Sequence, residues 1–227
     1  MLPTQNFELD RFATSAGSLE ITFIGHGSLI LAINGLIIHV DPYSKQANYA
    51  LLPKADIILV THEHSDHMDL TALNQVLKTS TQIIYTKACE RQLKGGLVMK
   101  NGDKQTVKGI PLEAVPAYNQ INTRGNGDPF HPKGEGNGYV LTFGDQRVYI
   151  AGDTENLPEM GKLKGIDIAF LPMNLPYTMT PEMVAQAAFS FKPRILYPYH
   201  YGQTDTSKLE NLLQTEKQIE VRIRKMA

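Results

Sequence analysis

Thr61-His62-Glu63-His64-Ser65-Asp66-His67 is the stretch on which the reading of this chain turns. Four side chains able to ligate a metal, His62, His64, Asp66 and His67, fall within six positions directly after the apolar run Asp56-Ile57-Ile58-Leu59-Val60. A buried strand that ends in a tight loop aims such closely spaced side chains into one small volume. Neutral imidazole and carboxylate suit borderline divalent ions, zinc above all. A loop serving only for solvation needs no such set. The chain has seven histidines in 227 residues, and three of them stand here.

Outward from that loop, the pattern is of short strands and few helices. Segments 19–25 and 28–33 are apolar and β-branched, and Asn34-Gly35 separates the second from Leu36-Ile37-Ile38-His39-Val40. An Asn-Gly pair between two such runs is a strong hairpin signal because both residues tolerate positive φ. Strand 56–60 then delivers the histidine loop, and Asp69 caps a helix whose Leu70, Leu73, Val76 and Leu77 share one face. Gln82 to Thr86 reads as a strand, and 87–94 as a short helix closed by Gly95-Gly96. Further on, strands are expected at 106–108, 111–116, 138–143, 147–151, 166–171, 194–199 and 219–223, with a Gly-, Asn- and Pro-rich loop over 119–137. Gly144-Asp145 makes another hairpin turn, Thr180-Pro181 opens a helix reaching Phe191, and 206–215 reads as a last helix. Meander, α/β unit, meander, α/β unit predicts an α/β fold of two sheets packed face to face with helices outside. Without a sequence repeat or a separating linker, residues 1–227 read as one domain.

Composition bounds the function. Hydrophobic residues make up 42% and charged residues 20%, as in ordinary globular enzymes. A formal charge of −1 gives no overall attraction to nucleic acid or an anionic membrane, so a small-molecule substrate is expected rather than a nucleic acid. The basic stretch Lys87, Arg91, Lys94, Lys100, Lys104 and Lys108 reads as a solvated face. Cys89 is the single cysteine, which excludes an intrachain disulfide and a thiolate metal cage and suits a cytoplasmic setting. No apolar run approaches the roughly 18 residues that span a bilayer, and Met1–Asn6 lacks the pattern of a secretory signal. Nothing in the chain points to an oligomeric state.

Two more candidate ligands repeat the logic of the first cluster. Asp153 follows the strand Arg147-Val148-Tyr149-Ile150-Ala151, with Gly152 allowing a sharp bend, and His200 ends Ile195-Leu196-Tyr197-Pro198-Tyr199. Alone, each is as readily a turn residue or a strand-end histidine bonded to backbone. Together, His-x-His-x-Asp-His, a strand with Gly-Asp-Thr and a strand with His resemble the metallo-β-lactamase superfamily, from Ile21 to about His200. Gly25-His26-Gly27-Ser28, Asp41-Pro42-Tyr43, Pro116-Ala117-Tyr118-Asn119, His131-Pro132-Lys133-Gly134 and Tyr177-Thr178-Met179-Thr180 are similar to one branch of it. That branch includes the ascorbate-6-phosphate lactonase and N-acyl-phosphatidylethanolamine phospholipase D groups.

The resemblance implies an αββα four-layer sandwich with a binuclear site on one edge of the sheets. His131, the only histidine between His67 and His200, is its candidate for the third-motif ligand, although the superfamily's commoner Gly-His-Thr setting is missing. By resemblance, His62, His64 and His131 hold one divalent ion, Asp66, His67 and His200 hold the other, and Asp153 bridges. Zinc leads as the ion, with manganese and iron as alternatives. The implied chemistry is hydrolysis of a small ester, lactone or phosphodiester by a metal-bound hydroxide, with Asp66 or Asp153 taking a proton in turn. His26 is expected either as a donor to a ligand or as a hairpin residue, and His39 as structural. Asp41 is expected to cap its loop and orient a ligand histidine. Tyr118, Tyr177, Tyr199 and Tyr201 either line a substrate cleft or pack.

Other functions weigh less. An RNA-processing nuclease of the same superfamily draws support only from the basic stretch. A flavodiiron-like redox role wants glutamate where His64 stands. A module that keeps metal without turnover is the non-enzymatic alternative.

Overall fold

The same construction is used twice along the chain. The computed structural model describes residues 6–227, so nearly all of the N-terminal stretch read for a secretory signal lies outside the described residues. The first sheet runs β1 (Glu8–Thr14), β2 (Gly17–Gly25), β3 (Ser28–Ile33), β4 (Leu36–Val40), β5 (Ile57–Leu59), β6 (Gln82–Tyr85) and β7 (Leu97–Val98), in that spatial order. Strands β1 to β4 pair antiparallel, and β4 to β7 pair parallel. The second sheet holds β8 (Lys104–Val107), β9 (Ile110–Ala117), β10 (Gly136–Phe143), β11 (Gln146–Ile150), β12 (Ile168–Pro172), β13 (Ile195–Tyr199) and β14 (Glu220–Val221), again ordered along the chain. Here β8 to β11 are antiparallel and β11 to β14 parallel.

Local chemistry explains most of these elements. Asn34 and Gly35 have φ of 49° and 81°, the left-handed pair that a two-residue hairpin between Ile33 and Leu36 requires. Parallel neighbours need long crossovers, and helices α1 (Leu70–Val76), α2 (Pro181–Phe191) and α3 (Ser207–Leu213) lie in three of them. Asp69 Oδ1 accepts from the Thr71 and Ala72 amides, and Thr180 Oγ1 accepts from Met183, so both expected caps are made. Some boundaries differ from expectation. Lys108 and Gly109, with φ of 50° and 84°, turn β8 into β9, so Lys108 belongs to the turn and not to a strand. The segment after Thr86 winds as a 3-10 helix over Lys87–Arg91, and the last strand is only Glu220-Val221.

Three apolar layers hold the sandwich together. Between the sheets, Phe23, Leu31 and Ile38 meet Phe143, Phe170 and Tyr197. Phe170 and Tyr197 stack at 5.0 Å, and Phe23 reaches Tyr197 across the interface at the same distance. Each such side chain contributes roughly 1.5–3 kcal/mol on burial. Helices α2 and α3 cover the outer face of the second sheet through Val184, Ala188, Leu209 and Leu213. Helix α1 covers the first through Ala72, Leu73 and Val76. The result is the αββα sandwich, with β4, β5, β11 and β13 each followed directly by one of the loops that build the site.

Candidate metal centre

Six of the seven histidines, His26 after β2 and His131 from the loop between β9 and β10 among them, gather at this edge of the sheets. Donor atoms of His62, His64 and His131 lie within 4.8 Å of one another, as do those of His26, Asp66, His67 and His200. Asp153 lies between the two groups. Its Oδ2 is 3.4 Å from His131 Nε2, 3.5 Å from His67 Nε2, 3.5 Å from His200 Nε2 and 3.9 Å from His62 Nε2. His39 stays apart: its Nε2–H donates to the Pro53 carbonyl at 2.9 Å, and burial lowers its pKa to about 4.

A buried carboxylate aims the histidine loop. Asp41, at the end of β4, accepts from the Thr61 amide (2.8 Å), the Thr61 hydroxyl (2.6 Å) and His67 Nδ1 (2.8 Å). With Nδ1–H donated to Asp41, His67 turns its Nε2 toward Asp153, and that buried nitrogen has no hydrogen-bond partner. Thr61 Oγ1 lies 3.0 Å from His62 Nδ1, and as its hydroxyl hydrogen goes to Asp41, it accepts from that ring and leaves His62 Nε2 free. His62 Nε2 and His64 Nδ1 then face each other at 3.0 Å, a separation that wants a proton or a cation between them. His26, Asp41 and His200 all hold positive φ (54°, 43° and 48°), backbone that non-glycine residues rarely adopt and that clusters at functional sites. A Cβ at Gly27 would come within 2.9 Å of His67 Cε1, so only glycine lets β3 begin this close to the ring.

Carboxamide and carboxylate partners aim His131. His131 Nδ1 donates to Asn119 Oδ1 at 2.6 Å, which leaves its Nε2 facing Asp153. Asn119 is itself held by Glu155, whose Oε1 accepts from Asn119 Nδ2 (3.1 Å) and the Asn122 amide (2.7 Å). Glu155 Oε2 accepts from the Gln120 and Ile121 amides at 2.7 and 2.8 Å. A carboxylate that is only 1% exposed thus ties the loop carrying His131 to the strand end carrying Asp153. Neither Glu155 nor the Asn119 contact was expected from the sequence. The only local signal was Glu155 two residues past Asp153, next to the matched Gly-Asp-Thr.

The charge pattern fits cations. Burial alone would favour neutral carboxyls, yet His200 and His67 hold Asp153 well below the usual range, and the neighbouring His200 and the hydrogen bond with His26 lower Asp66 likewise. Burial, aided by neighbouring imidazoles, keeps His62 and His64 from protonating easily. Burial also opposes a charge on His67, but Asp153 and Asp41 overcome it and raise its pKa well above the ordinary value. Two ionised carboxylates among imidazoles, with the buried His67 Nε2, His200 Nε2 and Asp153 Oδ1 all unpartnered, form a donor set suited to divalent ions. Protons and metal compete for the same lone pairs there.

Above the donors lies a cleft of about 400 Å³, whose walls include Asp66, Arg124, Phe130, Asn174, Tyr177 and His200. His26 joins the second group directly: its Nε2 is 3.0 Å from Asp66 Oδ2, and its ring lies 3.7 Å from that of His200. Tyr177 faces the cleft and is 45% exposed. Tyr118 does not line it. The ring is buried in the layer that packs with α2 and its hydroxyl donates to Glu159: Tyr118 lies one residue past the end of β9, where its amide donates to Thr154 Oγ1 and not to a neighbouring strand. Tyr199 is likewise a core residue and accepts from the Gly152 amide at 2.8 Å.

A four-layer sandwich with this His/Asp set at its strand ends defines a metallo-β-lactamase-like protein, and the family pattern described as the beta-lactamase superfamily domain matches residues 20–200. A UPF0173 metal-dependent hydrolase of Enterococcus faecalis is 33% identical over 195 residues, 81% of this chain and 87% of that one. The chain belongs to this superfamily and, within it, to the UPF0173 family of metal-dependent hydrolases. The crystal structure of a Parabacteroides distasonis protein, whose name gives it as a candidate metal-dependent hydrolase, matches with a TM-score of 0.93. It is 51% identical, over 98% of this chain and 100% of that one. Igni18 of Ignicoccus hospitalis, a metallo hydrolase, shares the fold at a TM-score of 0.72 and 21% identity, over 92% of this chain and 96% of its own.

Proposed function

We propose that the cleft hydrolyses a small ester, lactone or phosphodiester with two divalent ions, zinc foremost. In this reading His62, His64 and His131 hold one ion, Asp66, His67 and His200 the other, and Asp153 stands between them. The observation that carries it is the single oxygen Asp153 Oδ2 lying 3.4–3.9 Å from four imidazole nitrogens that come from both groups. When bound, the ions would lower the pKa of the attacking water and offset charge developing on the substrate oxygen.

The chain's own side chains supply the rest. Hydrolysis joins the water oxygen to the carbonyl carbon or phosphorus, moves one proton to a base and delivers a proton to the leaving oxygen. Asp66 is the residue for that relay, since its side chain is 32% exposed and faces the cleft, whereas that of Asp153 is 4% exposed. His26 Nε2, at 3.0 Å, orients the Asp66 carboxylate. Asp153 stays ionised and holds the surrounding imidazoles in place. The buried Cys89 thiol, pushed up to about 11 by burial, suits the reducing cytoplasm in which we place the protein.

The test is direct. Purified protein should hold close to two equivalents of metal and turn over 4-nitrophenyl esters or bis(4-nitrophenyl) phosphate, with activity lost on chelation and restored by metal. H64A and D66A should each lower kcat/KM at least about 100-fold. Wild-type turnover in either variant would remove the assignment.

A further inference from the structure

One wall of the cleft plays no part in holding ions or moving protons. Arg124, Phe130 and Tyr177 form it. The Arg124 guanidinium carbon lies 5.1 Å from the centre of the Phe130 ring, and Phe130 meets Tyr177 edge to face, at 5.1 Å and 77°. Arg124 Nη2 donates to the Phe130 carbonyl at 3.3 Å, which occupies one of five guanidinium donors.

Arg124 differs from most of the other arginines. Arg11, Arg147, Arg194, Arg222 and Arg224 each pair with a carboxylate. Arg124 has no such ion pair among the described residues. The carboxylate nearest in sequence, Asp128, is turned to Asn126 Nδ2 at 2.7 Å. The Arg124 backbone is nevertheless pinned: its amide donates to the Asp128 carbonyl at 2.7 Å, and its carbonyl accepts from Gly127 at 2.9 Å. Thr123 and Pro129 form a bridge just outside those bonds, and Glu155 anchors the start of the loop. A planar cation laid against an aromatic ring on an anchored loop has its remaining donors held in a fork suited to a carboxylate or phosphate.

We propose that the substrate is an organic anion. Its carboxylate or phosphate group docks on Arg124, its apolar body lies along Phe130 and Tyr177, and its scissile bond reaches Asp66. This rests on the hydrolytic reading only for the last clause; the anion site stands on its own geometry.

The experiment uses the full-length, metal-loaded protein. NMR titrations compare 4-phenylbutyrate and 2-phenylethyl phosphate with the neutral 4-phenylbutyramide. At least one anion should bind about tenfold more tightly than the amide, with amides of 120–130 shifting, and R124K should keep part of a preference that R124Q loses. The tighter of the two anions identifies carboxylate or phosphate as the preferred group. Equal binding of anions and amide overturns the proposal. So does a preference that survives R124Q, the outcome expected if anions merely bind the metal. In turnover, the kcat/KM ratio of mono-4-nitrophenyl glutarate to 4-nitrophenyl butyrate should fall about tenfold in R124Q. Neither ester turning over, with binding preference intact, removes hydrolysis and keeps the anion site; turnover without that preference does the reverse.

Discussion

Replacing Asp41 with asparagine isolates what one buried charge does for the centre. Asparagine tolerates the positive φ at this position, so the backbone should survive the change. The side chain keeps its shape but exchanges an acceptor for a donor. If its oxygen continues to accept from the Thr61 amide, its NH2 group faces Thr61 Oγ1 and His67 Nδ1, which lie 2.6 and 2.8 Å from Asp41 Oδ2. His67 can then accept at Nδ1 only by moving its proton to Nε2, the lone pair that points at Asp153. A ring in that tautomer cannot ligate through Nε2. Losing one charge-assisted hydrogen bond costs about 1.5–3 kcal/mol, and each 1.4 kcal/mol is about tenfold in affinity. The D41N protein should therefore bind divalent metal about 10–100-fold less tightly, with unchanged far-UV circular dichroism. Competition against a chromophoric chelator measures this. Affinity within about twofold of wild type would show that Asp41 does not set the His67 tautomer, and the account of how the site is aimed would fall.

Two further outcomes follow from groups outside the donor set. In E155Q an NH2 group meets backbone N–H groups that now donate to the carboxylate, so about 2–4 kcal/mol of stability should be lost. Amide exchange should speed up across residues 119–131, and protection equal to wild type there would contradict the tether. His39, with its folded pKa lowered to about 4 from an ordinary 6.5, stays neutral in the fold while the unfolded chain takes up a proton. Stability from this group is thus complete above pH 6.5 and falls by roughly 3 kcal/mol as pH drops toward 4. Urea unfolding of wild type and H39V across that range should show the wild-type advantage shrinking with acidity; a constant difference would refute the shift.

Much of this molecule can be read from short patterns because short patterns cause it. Asn34-Gly35 makes its hairpin from two residues' φ preferences, Asp69 and Thr180 cap helices within three residues, and the apolar run before Thr61 puts the histidine loop at a strand end. Strand β1 was missed for the opposite reason. Glu8-Leu9-Asp10-Arg11 alternates polar residues on a sheet edge, and Asp10 is held by Arg224 and Tyr197, some 200 positions away. For Tyr118 the sequence leaves lining and packing both open, because its motif neighbours converge on the site; its ring packs in the layer with α2 because it lies one position past β9, outside that strand's alternation. The Glu155–Asn119–His131 chain has no periodicity to betray it. It exists only once β9, β11 and the loop between β9 and β10 have been brought together.

The donor atoms come from both halves of the chain. His26, His62, His64, Asp66 and His67 follow strands of the first sheet; His131, Asp153 and His200 follow strands of the second. The centre therefore straddles a seam. A slide of one sheet over the other by about an ångström could leave every backbone ladder intact and still scatter the ligands, since productive geometry tolerates only about half that displacement. Capture of ions here reports the alignment of two separately built slabs, and a cation that bridges them would act as a rivet through the middle of the protein.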